Sequence, residues 1–376
     1  MQIVLFYVRG CGEHHSLCVD ANGDVWCLGS NTKKAIGVSS TNIPTKHPTL
    51  CDIQKVAAGE YHSAALDSSG CLWMFGNNLY GQIGIGSKSI NGIASPQTLS
   101  ASINVIDVAC GYNHALCLAR DGKVYSFGCN ESGQLGTGFG SYFSSPKPVT
   151  DLDEIVSVAA MGNFSLFLDA NGISYASGMN DLGQLGQGNQ KDSLVPLQIP
   201  NLPPVHSIAA GFRHALFLCE GEVYGTGSNI KGQLGLGAEV SNTLSPAKIS
   251  CLPHIAKITT GLDYSFFVDI QGSLWATGDN TKGKLGVPTK KSFVSDPIQV
   301  KIPGMGNIVV TAKCHTHTIV KDNRNQIWVS GDNTNGQIGP WVHSNSHKSI
   351  YFTLLDPEFS HIIQTPFNHP AKSARK

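Results

Sequence analysis

The chain has 376 residues, with 26 basic and 26 acidic side chains, so its formal net charge at neutral pH is zero. Proteins that bind nucleic acid usually carry clustered positive charge, and the balanced charge here predicts no direct nucleic-acid partner. No apolar run approaches the roughly 18 residues of a membrane-spanning helix, while 42 glycines, well above the usual share of about 7%, indicate many tight turns between short strands.

The first predicted element is a short apolar segment from Ile3 to Val8. It lacks the basic start and the small-residue cleavage site of a signal peptide. The chain has 11 cysteines, with no Cys-x-x-Cys pair and no Cys/His array of zinc-like spacing. We therefore expect buried free thiols in an intracellular protein of the cytoplasm or nucleus, with no metal site, no cofactor and no membrane association.

One sequence pattern then repeats seven times, with steps of 47 to 53 residues between copies. Each copy has an aromatic residue, a glycine three positions later, an asparagine two further on and a terminal glycine six beyond that. In the second copy these residues are Trp73, Gly76, Asn78 and Gly84. The terminal glycines of the seven copies are Gly37, Gly84, Gly136, Gly186, Gly235, Gly286 and Gly339. A fixed period of this length is typical of the blades of a β-propeller.

The second copy shows the predicted strands of one unit. A first strand ends at 56–59, a second covers 63–66, and a turn at 67–70 leads to a third strand at 72–75. A fourth strand is predicted near 96–100, where Pro96 fits a strand start or an outer edge. The unit is therefore four short antiparallel strands.

The second strands are apolar on both faces, which determines how the units must pack. These runs cover residues 116–118, 166–168, 216–218 and 266–268. A sheet with one wet face would alternate apolar and polar residues, so both faces must be covered, as they are when blades stack in a closed ring. We predict an all-β fold, a seven-bladed β-propeller with four antiparallel strands per blade and about 50 residues per repeat.

The predicted domain boundaries follow from the repeat. Residues 1–356 form a single propeller, and residues 357–376 form a C-terminal tail outside the pattern. We further predict that the strand at 2–8 closes the ring by sharing a sheet with the strand at 350–355 of the last repeat, because pairing the chain ends would protect sheet edges.

The repeat, in full G-x-x-H-S-L-x-L-D-x-x-G-x-V-W-x-x-G-x-N-x-x-G-Q-L-G, resembles that of the regulator of chromosome condensation family. The resemblance implies a seven-bladed propeller. Family members include an exchange factor for the small GTPase Ran, a plant UV-B photoreceptor and modules of ubiquitin ligases, so the fold leaves the function open. A photoreceptor would need tryptophans clustered with arginines on one face, and the loop most similar to that arrangement carries Phe212.

The seven loops before the second strands, G-x-x-H in full form, contain the candidate site. Their middle positions vary, as expected of loop surfaces with specific functions, and mix aromatic, arginine and acidic groups typical of protein-binding surfaces. The predicted partner-binding residues are Glu13, His14, Glu60, Tyr61, Tyr112, Asn113, Phe212, Arg213, His214, Asp263, His315 and His317. The resemblance to the Ran exchange factor implies GTPase contacts at Glu60, Asn113, His214 and His317.

The histidine of G-x-x-H has a second interpretation. Aromatic residues replace it at Phe164 and Tyr264, which indicates a flat, partly buried ring with a structural role. Glu60 and Asn113 also depart from the exchange-factor pattern, where aspartate is expected.

Two functions remain as hypotheses. The first is a monomeric protein-interaction module that binds a folded partner through the G-x-x-H loops and makes or breaks no covalent bond. The alternative is a guanine-nucleotide exchange factor for a Ran-like small GTPase, which would release nucleotide by binding the empty GTPase more tightly than the loaded form.

Overall fold

The computed structural model describes residues 7–99, 103–287, 289, 291–311, 315–339 and 348–354. In these residues, 28 strands form seven four-stranded antiparallel sheets. The predicted all-β, seven-bladed propeller is confirmed. The same residues include two 3-10 turns, Thr32–Lys34 and Thr281–Gly283, and among them no helix is long and apolar enough to cross a membrane. The predicted tail at 357–376 lies outside the described residues.

Each blade is built from four strands that are consecutive in the chain. Blades 1 to 3 contain β1 (Tyr7–Cys11), β2 (His15–Val19), β3 (Val25–Gly29), β4 (Thr41–Lys46), β5 (Ile53–Ala58), β6 (His62–Asp67), β7 (Leu72–Asn78), β8 (Ser89–Thr98), β9 (Val105–Cys110), β10 (His114–Ala119), β11 (Val124–Cys129) and β12 (Tyr142–Pro148). Blades 4 and 5 contain β13 (Ile155–Met161), β14 (Phe164–Asp169), β15 (Ser174–Gly178), β16 (Ser193–Gln198), β17 (Ser207–Ala210), β18 (His214–Cys219), β19 (Glu222–Ser228) and β20 (Asn242–Lys248). Blades 6 and 7 contain β21 (Ile255–Thr260), β22 (Tyr264–Asp269), β23 (Leu274–Asp279), β24 (Phe293–Gln299), β25 (Ile308–Thr311), β26 (His317–Asp322), β27 (Ile327–Asp332) and β28 (Lys348–Leu354).

The first strand of each blade lies nearest the ring axis. First strands of neighbouring blades contact one another, as β1 contacts both β5 and β25. They enclose a channel with a cavity of ≈ 200 Å³, lined largely by small side chains such as Ala58, Cys110 and Ala210. The seven blades therefore stack radially around a narrow, mostly apolar channel.

The alternating strand directions divide the connections between two ends of the propeller. The loops between first and second strands, and those between third and fourth strands, emerge at one end, which we call the loop face. The turns between second and third strands, and the connections between blades, emerge at the opposite face. All G-x-x-H loops therefore lie together, with the first-to-second loops nearest the axis.

The histidines that end the G-x-x-H motifs, which we call the framework histidines, are buried, and four of the five hydrogen-bond to a serine of the next blade. His15 Nε2 lies 3.1 Å from Ser63 Oγ of the next blade, and that hydroxyl donates to the carbonyl of Ala35 at 2.7 Å. Because the serine proton is used on the carbonyl, the histidine Nε2 must donate to the serine. The same histidine–serine pair recurs as His114–Ser165, His214–Ser265 and His317–Ser16. The structural interpretation of these histidines is confirmed.

The predicted closing strand lies mostly outside the described residues, so the pairing of the chain ends stays a prediction. Among the described residues, β1 pairs with β2 and β28 pairs with β27, each within its own blade. Blade 7 meets blade 1 through the repeated contact, in which Ser16 Oγ lies 2.7 Å from His317 Nε2 and donates to the Gln337 carbonyl at 2.8 Å. The histidine–serine contact that joins neighbouring blades therefore also joins the last blade to the first. Residues 2–6 and 355 of that prediction lie outside the described residues.

The invariant asparagine and glycine of the repeat have architectural roles, as predicted. The Asn78 side-chain oxygen accepts the backbone N–H of Ile83, five residues later, at 3.1 Å. The equivalent bond occurs in all seven copies. Gly76 has φ +107°, and a Cβ there would lie 2.5 Å from the Tyr61 carbonyl oxygen, so no other residue fits at this close approach of two strands.

The outer strand differs from its predicted bounds. Strand β8 covers Ser89–Thr98, and the predicted fourth strand at 96–100 overlaps only its end. Pro96 lies in the register shift between β7 and β8, where a ladder donor is not needed. The equivalent Pro297 of blade 6 packs on the terminal Gly235 of blade 5, where a Cβ would lie 2.7 Å from the ring.

The ten cysteines in the described part of the chain are not joined in disulfides, as predicted, and six of them are buried. Cys51 and Cys251 are exposed, so the expectation that these thiols are buried was wrong for these two. Both lie in connections between blades, where the chain crosses the surface.

His62 predicts acid sensitivity of the fold. Burial lowers its pKa to about 4, and a charge on His62 would repel one on His15 of the preceding blade. Between pH 4 and 6.5 the unfolded chain binds a proton at His62 that the folded chain excludes, so stability falls as pH decreases through this range. From pH 7.5 to pH 5, the free energy of unfolding of the native chain should fall by about 2 kcal/mol more than that of His62→Phe. Urea unfolding of both proteins at both pH values measures this difference.

Phenylalanine should fit this position because blade 4 carries Phe164 there, fully buried. The next blade has alanine at the serine position in both cases, Ala115 after His62 and Ala215 after Phe164. A stability difference between the two proteins that did not change with pH would show that His62 has the same pKa in the folded and unfolded chain, contrary to this prediction.

Candidate protein-binding face

Backbone hydrogen bonds tie the first-to-second loops of neighbouring blades together around the axis. The Glu60 N–H donates to the Tyr112 carbonyl at 3.3 Å, and the Tyr112 N–H donates to the Gly162 carbonyl at 2.9 Å. The Phe212 N–H donates in the same way to Leu262, at 2.9 Å. These bonds fix loop positions that a free surface loop would vary, so the side chains they carry are preorganised.

Aromatic side chains converge near the mouth of the channel. The rings of Tyr112 in blade 3 and Phe212 in blade 5 have centroids 5.7 Å apart, although blade 4 lies between them. Blade 4 has Gly162 at the equivalent loop position, and a Cβ there would lie 2.3 Å from the Phe212 carbonyl oxygen. The Arg213 guanidinium lies 5.6 Å from the Phe212 ring centroid and forms an ion pair with Asp181 at 3.1 Å.

Glu13, His14, Glu60 and Tyr61 lie in the loops of blades 1 and 2 and form a partly exposed cluster. His14 Nε2 lies 3.6 Å from a Glu13 carboxylate oxygen. The Glu60 pKa is raised to about 7, mainly by burial and further by Glu13, against the lowering effect of a hydrogen bond from Tyr112. Burial and the two carboxylates raise the Tyr61 pKa to about 12. The cluster therefore combines two acidic groups with aromatic rings.

Three predicted contact residues are corrected by their placement. His214 and His317 begin second strands and are fully buried in the interfaces between blades, and His315 is 2% exposed. Side chains without solvent-accessible surface do not contact a partner, so we assign these three to the framework. Of the four GTPase contacts that the resemblance implies, only Glu60 and Asn113 therefore lie at the surface.

Two further predicted residues are partly buried and already hydrogen-bonded. The Asn113 side-chain oxygen accepts from Gln82 Nε2 at 3.0 Å, and an Asp263 carboxylate oxygen accepts from Gln233 Nε2 at 3.4 Å. Burial raises the Asp263 pKa. Both side chains border the loop face, and both brace the glutamine of the G-Q-L-G loop in the preceding blade.

The third-to-fourth loops add exposed apolar side chains that the sequence interpretation missed. Leu79 is 43% exposed, Ile230 58% and Phe139 89%. Leu79 and Ile230 directly follow the repeat asparagines of their blades, and Phe139 lies in the equivalent loop of blade 3, at the end that carries the G-x-x-H loops. The strand order predicted their position. The first and third strands of a four-stranded antiparallel blade run in the same direction, so the loops that follow them lie at the same end.

Ion pairs strengthen the loop face in blades 6 and 7. Lys284 replaces the glutamine of G-Q-L-G, is buried, and pairs with Asp279 at 2.6 Å. Lys282 of blade 6 pairs with Asp332 of blade 7 at 2.8 Å. Asp279 and Asp332 are thus neutralised within the chain.

On the opposite face, the turns between second and third strands hydrogen-bond their own polar groups. Asp67 accepts the backbone N–H groups of Ser69 and Cys71 through one oxygen and the Trp73 Nε1–H through the other, at 3.0 Å. The same bond links Asp20 to Trp26 at 2.9 Å. No group of three or more His, Cys, Asp or Glu side chains that could hold a metal ion occurs in the described ranges.

The radial blades, the repeated histidine–serine contact and the preorganised loop face define the chain as a closed repeat propeller. The family model described as the RCC1-like domain matches residues 5–314 and 96–369. The chain belongs to the RCC1-like domain family, which confirms the family resemblance.

Individual relatives agree with this assignment. The mouse probable E3 ubiquitin-protein ligase HERC4 is 32% identical over 369 residues, which are 95% of this chain and 30% of HERC4. The chain spans less than a third of the length of the ubiquitin-ligase relatives that it matches. Human WBSCR16 has a TM-score of 0.76 at 25% identity and covers 85% of this chain and 87% of its own. Prp20p from Saccharomyces cerevisiae has a TM-score of 0.74 at 21% identity, with 94% and 84% covered.

Proposed function

We propose that this propeller is a protein-interaction module that binds a folded partner through its loop face. The observation that carries the proposal is the preorganised, partly exposed surface of aromatic and charged side chains around the channel mouth, represented by Tyr112, Phe212 and Arg213. Tyrosine and arginine dominate binding energy at interfaces, and loops that are already fixed lose little entropy on association.

The exposed apolar side chains support a wide contact area. Phe139, Leu79 and Ile230 surround the central loops on the same face, and exposed apolar groups rimmed by polar residues are typical of protein-binding sites. Among the similar proteins, Prp20p is described by its binding to Gsp1p and histones, which is consistent with a propeller that binds other proteins.

The alternative, exchange activity on a Ran-like GTPase, has less support from the geometry. Of the four implied contacts, His214 and His317 are framework residues, and Asn113 is bonded to Gln82. A fluorescent-nucleotide release assay against a panel of small GTPases separates the two functions. Release accelerated by this chain would favour exchange, and binding without release would favour the interaction module.

Arg213 provides the test of the binding face. We expect Arg213→Ala to weaken partner binding by about 1–3 kcal/mol, since it removes a guanidinium stacked on Phe212. Its effect on folding should be within about 1 kcal/mol, because both side chains of the ion pair with Asp181 are more than one third exposed. Affinity capture with quantitative mass spectrometry, followed by a dissociation constant for the purified partner, measures the effect.

The matched control is Arg120→Ala, which removes an exposed arginine from a second-to-third turn on the opposite face. It should leave binding unchanged. Loss of the partner with the Arg120 variant, and its full retention with the Arg213 variant, would place the binding surface on the opposite face.

A further inference from the structure

Ser245 is an exposed serine on β20, the outermost strand of blade 5, and Pro246 follows it. The ladder between β19 and β20 shifts register at this point, so Leu244, Ser245 and Pro246 have no paired residues in β19. The hydrogen bonds of the described residues include none to the Ser245 hydroxyl. The bulge therefore presents an unbonded hydroxyl group to solvent.

The backbone around Ser245 is extended and held in place. The Gly188 N–H of blade 4 donates to the Leu244 carbonyl at 2.8 Å, and the Thr243 hydroxyl donates to the Ser245 carbonyl at 2.6 Å. The residue before a proline avoids the helical conformation, and β20 is the edge strand of its sheet. Sites that recognise peptide chains commonly bind them as extended segments, with pockets for alternate side chains. The conformation that the fold gives to Ser245 therefore matches the one that such a site binds.

Comparison of the blades separates the proline from the serine. Blades 1 to 6 all have a proline at this point of the fourth strand, so the proline is part of the architecture. These prolines are Pro44, Pro96, Pro146, Pro196, Pro246 and Pro297. The residue before the proline is isoleucine in blade 1, valine in blade 4, serine in blades 2, 3 and 5, and the exposed Asp296 in blade 6. The fold therefore does not require the serine, and it accepts a negative charge in its place.

Lys248 distinguishes Ser245 from the equivalent serines of blades 2 and 3. It lies three residues after Ser245 and forms an ion pair with Glu222 at 2.6 Å, in which both side chains are nearly half exposed. Such a surface pair contributes little to stability, so Lys248 can exchange Glu222 for an acidic group of an enzyme. Ser95 and Ser145 have no basic residue at the third position after them. Charge near the target residue is one of the features by which kinases select substrates.

We propose that Ser245 is a phosphorylation site for a serine kinase that selects proline at the next position and a basic residue at the third. The serine oxygen attacks the γ-phosphorus of ATP, the bond from that phosphorus to the β–γ bridging oxygen breaks, and ADP leaves. The hydroxyl proton passes to the catalytic aspartate of the kinase. The phosphate adds about −1.5 to −2 charge at neutral pH to the outer edge of blade 5. This inference goes beyond the proposed function and is independent of it.

The test uses the full folded chain, ATP and a purified kinase with this selectivity. Mass spectrometry of proteolytic peptides follows the occupancy of Ser95, Ser145 and Ser245 over time, and a synthetic peptide of residues 239–251 shows that the kinase is active. We expect Ser245 to be modified about tenfold faster than either of the other two serines. Equal rates at the three serines, or no modification of Ser245 in the folded chain, would overturn the proposal.

Two lysine variants test the recognition. Lys248→Ala should slow the modification of Ser245 about tenfold and leave that of Ser145 unchanged. The matched control is Lys147→Ala, which removes an exposed lysine from the fourth strand of blade 3 and should leave the rate at Ser245 unchanged. An unchanged rate at Ser245 in Lys248→Ala, or equal losses in the two variants, would contradict the assigned selectivity.

Access in the folded state is measured against the synthetic peptide. If the kinase binds the bulge as it stands, the rate at Ser245 should lie within about thirtyfold of the rate for the peptide. If the kinase reached Ser245 only after unfolding, the rate would fall by the unfolding equilibrium constant, about 10³-fold or more, and the proposal would be wrong. Ser245→Asp should keep the melting temperature within about 2 °C of the native value, as expected of an exposed position. A larger fall would show that the bulge does not accept the phosphate.

Discussion

Replacing Phe127 with alanine should lower the free energy of unfolding by about 3–5 kcal/mol. Phe127 has no exposed surface and packs into the core between blades 2 and 3, with Leu72, Met74 and Ile83. Its ring also lies against the terminal glycine of blade 2, where a Cβ on Gly84 would approach it to 3.0 Å. Truncation to alanine would leave a cavity in the interface between blades 2 and 3. Urea unfolding measures the resulting loss of stability.

The control is Phe139→Ala in the same blade, which removes the same ring from a position that is 89% exposed. This variant should unfold within about 0.5 kcal/mol of the native chain. Similar stability losses in the two variants would mean that Phe127 does not occupy the interface described here.

The second large effect is expected at the ring closure. His317→Ala should lower the free energy of unfolding by about 2–4 kcal/mol, because it removes a fully buried ring and the hydrogen bond to Ser16. Since this bond joins the last blade to the first, hydrogen–deuterium exchange should accelerate in β2 and β26 before it does so in blades 3 to 5.

His62→Phe is the matched control at neutral pH. It changes the same framework position at an interface within the chain, where no serine hydroxyl meets the ring, and should alter stability by less than about 1.5 kcal/mol. If His317→Ala accelerated exchange uniformly around the ring, or not at all, the contact between Ser16 and His317 would not be the closure.

The repeat period, its glycine frame and the apolar second strands predicted seven four-stranded blades correctly. These features are local, because a residue such as Gly76 or Asn78 meets requirements within its own blade and the next one. The sequence also indicated that the framework histidines are structural, since Phe164 and Tyr264 replace them. Both substitutions keep a flat buried ring at the interface.

The candidate site was only partly predictable. Glu60, Tyr112 and Arg213 were identified from variable loop positions, whereas Phe139 was missed because its loop was not assigned to the same end of the blade. Variability identifies a loop position but not the solvent exposure of its side chain. His315, for example, occupies a variable loop position but is buried.

The amino-acid sequence by itself determined the number of blades, the strand order within each blade and the position of the interfaces, because each depends on contacts that recur every 50 residues or so. Only the tertiary structure decided how the ring closes and which loop residues meet. Closure joins Ser16 to His317, and the Tyr112 ring meets the Phe212 ring, through contacts between blades whose geometry is set by the whole ring. A periodic pattern specifies the repeated unit, while the side chains that converge on the axis do so because seven such units curve to a circle.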